Sequence, residues 1–156
     1  MRKLIIVFVT ISLTLFCGCA VRTQDVTSGR ELGKEVLRCF DEEDSEGLKA
    51  LFCEEIQNTH NLDREIAEAM KLFDGEIVSY DKTFNVAEGE TIIDGQVIDK
   101  NIAPYITQIE TSTGQKLEVS CFAYIVCDKY PKRVGLTRVT LFFENEQTYT
   151  IGEVIY

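Results

Sequence analysis

The spacing of apolar residues changes once along this chain, at Gly75, and no other feature constrains the fold as strongly. Before Gly75 the apolar residues recur at three and four positions, which draws one buried stripe down an α-helix. After it they alternate, and Thr, Val, Ile, Tyr and Phe dominate, as in half-buried β-strands. Three helices are predicted. "SGRELGKEVLRCF" opens with Ser28 and Glu31 in the S-x-x-E spacing of a capping box, followed by Leu32, Val36, Leu37 and Phe40 on one face. "DSEGLKALF" has Asp44 or Ser45 as its cap. "NLDREIAEAMKLFDG" has Asn61 as its cap, acidic residues in its first turn and Gly75 as its stop. The strands are "EIVSYDKTF", a hairpin "TIIDGQVI" turning at Asp94-Gly95, a second hairpin turning at "STG" before Gln115, "VGLTRVTLFFE" and "TYTIGEVIY". Helices followed by an antiparallel meander make an α+β fold, with the helices packed on an antiparallel sheet. A chain of 156 residues suits one such domain, expected over 28–156.

The first 27 residues read differently. Arg2 and Lys3 precede thirteen uncharged residues, Leu4 to Phe16, and then the small residues of "CGCA". A basic start, a short apolar run and a small-residue site make a secretory signal, expected over 1–18. The competing reading is an uncleaved membrane span, for which the uncharged run is at the short limit. Gly18-Cys19 resembles the bacterial lipobox, although Phe16 stands where leucine is usual. The resemblance implies lipid on the Cys19 thiol and cleavage before it, with 19–27 as a short tether. Two acyl chains hold stably where one is marginal. The expected location is therefore the extracytoplasmic side of the cell membrane. The net charge of −10, which becomes −12 once Arg2 and Lys3 leave, argues against nucleic acid and against docking on anionic lipid by charge alone.

Alternation assigns faces. Leu117, Val119, Cys121, Ala123, Ile125 and Cys127 form one apolar set, expected under the helices. The opposite face is expected to carry Phe122, Tyr124, Val126, Leu136, Arg138 and Phe142. That is more apolar surface than an open face needs, so it is a candidate interaction face for a partner protein or a second copy of the chain.

Two or three N-terminal helices against a curved sheet resemble the nuclear transport factor-like (cystatin-like) cone. Within that superfamily the chain resembles a family of small bacterial lipoproteins of unknown function. The carrying residues are Leu62-Asp63-Arg64-Glu65-Ile66 leading to "FDGEIVSYD", and "VGLTRVTL". The resemblance implies the cone fold but supplies no catalytic residues, since fold does not confer function. Enzymes on such folds pair a carboxylate with a phenol. Tyr80 and Tyr105 are therefore candidate residues of an interior pocket, although Asp81 is out of phase with Tyr80.

The remaining constellations favour structural roles. Cys39, Cys53, Cys121 and Cys127 read as small buried hydrophobes, with Cys39 and Cys53 close enough in sequence to meet as a disulfide. No cysteine pair has zinc-ligand spacing, and no metal or cofactor is expected. His60 reads as an exposed helix-entry residue and "DEED" (41–44) as a solvated loop. The functional expectation is a lipid-anchored binding module without catalytic residues. The alternatives are a small-molecule binder or enzyme using the cone interior, or a spacer in the envelope.

Overall fold

The computed structural model describes residues 28–155. The signal, the Cys19 lipidation site and the 19–27 tether lie outside the described residues. Helix α1 (Gly29–Asp41) starts as the capping pattern requires: Ser28 is extended and its hydroxyl accepts the Glu31 N–H at 3.2 Å. Helix α2 (Ser45–Leu51) is capped by Asp44, which accepts from Gly47, and α4 (Leu62–Leu72) is capped by Asn61. Between them lies a single-turn helix, α3 (Glu54–Thr59), that the sequence pattern does not reveal. It has one buried residue, Ile56, and no side-chain cap, so it draws no stripe to recognise.

The "DEED" run is more than a solvated loop. Arg38 reaches back from α1 to Glu35, Glu42 and Asp44, and the Asp41 carboxylate accepts the Ile77 N–H at 2.6 Å. The run therefore ties the end of α1 to α2 and to the start of the sheet.

Six antiparallel strands follow: β1 (Ile77–Ser79), β2 (Asn85–Ile93), β3 (Gln96–Thr111), β4 (Lys116–Cys127), β5 (Gly135–Phe143) and β6 (Thr148–Gly152). The order is β1-β3-β4-β5-β6, with β2 also on β3. β1 and β2 share one edge of β3, β2 along its first half and β1 at its far end. The predicted first strand is thus cut short. Asp81 accepts from both the N–H and the hydroxyl of Thr83, and this local turn ends the strand before β2 begins. The β2–β3 hairpin turns at Asp94-Gly95, both with positive φ (50° and 79°), the pairing a two-residue turn demands.

The helices cover one sheet face. α1 runs along β3: Gly29 sits against Val86 and Ile102, Gly33 against Phe84 and Ile106, and Asp41 at the start of β1. At Gly33 a Cβ would lie 2.8 Å from the Phe84 ring, so only glycine lets helix and sheet approach this closely. Leu32, Val36, Phe40 and Ile66 from the helices meet Ile102, Ile106, Val119, Cys121, Val139 and Leu141 from the sheet, all essentially inaccessible. This core fills the space between helices and sheet.

Candidate functional site

The sheet face turned away from the helices gathers the candidate residues, in a different arrangement from strict alternation. β4 and β5 each keep phase only as far as a β-bulge. Asn101 and Lys100 are neighbours on β3 and point to opposite faces; their partners are Tyr124 and Val126. Val126 therefore leaves the face that Tyr124 occupies, which corrects its expected place in the interaction surface. The same bulge takes Cys127, paired with Asp99, out of the core set, although it remains buried. On β5 the register passes from Arg138 opposite Phe122 to Leu136 opposite Ala123. Leu136 consequently lies in the core, 1% exposed, and is no part of an interaction surface. Tyr124 is on the outer face against Phe122, with ring centroids 5.5 Å apart, but it is buried and its hydroxyl donates to the Ile155 carbonyl. The chain after β6 covers it.

Phe122, Arg138 and Phe142 remain on the outer face, and Tyr105 joins them. Tyr105 pairs with Ser120, in a row that continues through Thr140 to Thr150. It thus lies on the sheet face turned away from the helices, 39% exposed, which corrects its assignment to an interior pocket. Its ring meets Phe142 edge-on at 6.2 Å, and its hydroxyl donates to the Glu118 carboxylate. That hydrogen bond, with some burial, raises the Tyr105 pKa, so the phenol stays a neutral donor. Tyr80 is half-buried against the edge of the core and does not line the trough described below.

Beyond Phe142 the face dips into a trough of about 450 Å³ lined by Gln108, Glu110, Lys116, Glu118, Phe142 and Glu144 among others. A bulge in β3 shapes it. Between the pairs Ile106–Val119 and Ile109–Leu117, β3 has one residue more than β4, and Gln108 takes a positive φ of 57°. The trough has an aromatic wall, Phe142 backed by Tyr105, and a rim with three carboxylates to one ammonium. That combination suits a cation, which aromatic faces attract and carboxylates pair with. Further along the face, Phe122 lies beside Arg138, whose Nε is buried without a hydrogen bond.

A family model described as a domain of unknown function (DUF5104) matches residues 35–145. The chain belongs to that family. The matched span runs from within α1 to just past the end of β5, so it contains every residue that lines the trough. No curated protein matches the chain.

Two other polar groupings are structural. His60 is not an exposed entry residue: its Nδ1 lies 3.0 Å from Glu65 and its Nε2 3.5 Å from Glu153. The other Glu65 oxygen accepts the Gly152 N–H at 2.8 Å. The imidazole thereby clips the end of β6 to the start of α4. Burial works against its charge, but Glu65 and Glu153 outweigh burial and raise its pKa. The four cysteines of the domain are free thiols, so Cys39 and Cys53 form no bridge. Burial pushes the Cys39 and Cys121 thiols up to about 12, which leaves them without thiolate character at neutral pH. Among the described residues, no three His, Cys, Asp or Glu side chains gather as metal ligands, and no helix is long and apolar enough to cross a membrane.

Proposed function

We propose that this DUF5104 protein is a lipoprotein anchored through Cys19 on the extracytoplasmic side of the membrane. It acts as a non-catalytic binding module whose outer sheet face takes a basic segment of a partner protein. The observation that carries the binding reading is the trough beside Phe142, where the aromatic wall meets the Glu110, Glu118 and Glu144 rim. The anchor reading rests on the basic start, the apolar run and Gly18-Cys19. We read the helix-covered sheet as the cone its sequence resembles. An interior site is less well supported, because large core side chains occupy the space between helices and sheet and Tyr105 faces outward.

The test is a photo-crosslinking amino acid placed at position 142 in living cells, with position 78 as a control on the exposed Val78. A protein adduct at 142, absent at 78 and lost in Glu118→Lys, is expected. If position 142 gives no adduct and the chain sediments as a monomer, the outer face is no interaction surface. The anchor is tested separately by mass spectrometry. The mature chain should begin at Cys19 carrying a diacylglyceryl mass, and Cys19→Ser should abolish it.

A further inference from the structure

The end of the domain opposite the trough collects half of its large exposed apolar side chains. Eight large hydrophobic residues are exposed among the described residues, and four of them lie here: Ile92, Ile93, Val97 and Tyr130. Two segments bring them together. Ile92 pairs with Val97 at the tip of the β2–β3 hairpin, next to the turn. The start of the β4–β5 connection, which carries Tyr130, is fastened alongside by the Asp128 N–H donating to the Ile98 carbonyl at 3.0 Å and the Tyr130 N–H donating to the Cys127 carbonyl at 3.1 Å. Tyr130 is flanked by cations, with Lys129 Nζ 5.0 Å and the Arg133 guanidinium 4.2 Å from its ring centre. An apolar tip beside a tyrosine with long basic side chains is the composition of a membrane–water interface.

The chain enters the domain on the hairpin half of β3. α1 follows β3 from Ile102 toward Thr111, so Ser28, at its start, lies on the hairpin side. From Ile102 to Gln96 along β3 is about 20 Å at a strand's rise per residue. The nine residue steps from Cys19 to Ser28 can span about 30 Å at full extension. A lipidated Cys19 can therefore reach the level of the hairpin tip without lifting the tip away.

We infer that this end rests on the bilayer, with Ile92, Ile93 and Val97 inserted among the lipid headgroups and Tyr130 at their edge. The inference relies on the lipid-anchor reading and adds an orientation to it. Charge does not drive the contact. Lys132 and Arg133 are already paired with Glu54 and Glu55, Asp94 stands in the hairpin turn itself, and Asp99 and Asp128 lie nearby. Apolar insertion does, so the contact forms on zwitterionic lipid.

The chain has no tryptophan, so one placed at Ile93 reports on that site alone. The full-length lipidated protein, as Ile93→Trp or as Val78→Trp at the far end, is reconstituted into phosphatidylcholine vesicles with and without brominated acyl chains. The Ile93→Trp protein should emit to the blue and lose about half its emission to the brominated lipid, as expected for a side chain at the headgroup boundary. The Val78→Trp protein should be unaffected. If both proteins float with the vesicles but Ile93→Trp is not quenched, the orientation is wrong and the anchor stands. A blue shift without bromine quenching identifies a second protein copy as the cover, which also overturns it. Equal quenching at both positions does the same. If the mature chain bears no lipid and floats with no vesicles, the anchor reading fails and takes this one with it.

Discussion

Leu141 and Phe142 are neighbours on β5, yet they belong to different regimes. Leu141 is fully buried among the core side chains that α1 and α4 press onto the sheet. Phe142 points the other way, 36% exposed, against one tyrosine and the trough. The helix side is close-packed, so every methylene there has partners on all sides, and removing some leaves a hole. The outer side is organised by edge contacts, a threonine row and charged rims, and it leaves apolar surface in water. The first face stabilises the domain, and the second is spare surface on which recognition can be built.

Mutations can break that division or sharpen it. The largest effect should come from Leu141→Ala, which is expected to cost about 2–5 kcal/mol in urea unfolding through lost burial and the cavity left behind. A loss below about 1 kcal/mol would mean that the core face is loosely filled.

An intermediate effect is expected at the edge where the two faces meet, at His60. Its folded pKa is raised above the ordinary value of 6.5. The extra stability is therefore complete below that value and is lost as pH rises through the raised one. His60→Gln should lower the melting temperature by a few degrees near pH 6, with the gap to the native chain closing toward pH 8 or so. A gap that widens with pH would show that the clip works through something other than imidazolium pairing.

The smallest stability effect belongs to the outer face. Phe142→Ser should change unfolding free energy by less than about 1 kcal/mol, since the ring is already partly in water. It should nonetheless remove the adduct formed across the trough, read with the crosslinker moved to position 105. A Phe142→Ser protein as unstable as Leu141→Ala would put both faces in one structural regime.

The succession of helices and then strands, α3 excepted, the caps at Ser28, Asp44 and Asn61 and the turn at Asp94-Gly95 could be read from the chain. Each is written in local chemistry: a side-chain acceptor, a stripe, a pair of residues tolerant of positive φ. The assignment of faces was legible only in part. Leu117 to Ala123 and Val139 to Phe142 obey the alternation, but Val126 and Leu136 lie beyond bulges that no residue type announces, and one extra residue reverses the phase. Tyr105 failed for a related reason. Its face depends on its register with Ser120, which is set by pairing between strands distant in sequence. His60 needed tertiary information as well, because Glu153 is brought to it only when β6 closes the sheet.

β3 has a consequence that pairing alone does not express. It is a single sixteen-residue strand reaching from the hairpin tip to the trough end, and β1, β2 and β4 all hang on it. From Val97 to Glu110 it measures at most about 44 Å at a strand's rise. With the tip on the bilayer, this strand is a ruler. It would set the height at which a partner must present its basic segment, and it would fix which proteins of the envelope are tall enough to be reached.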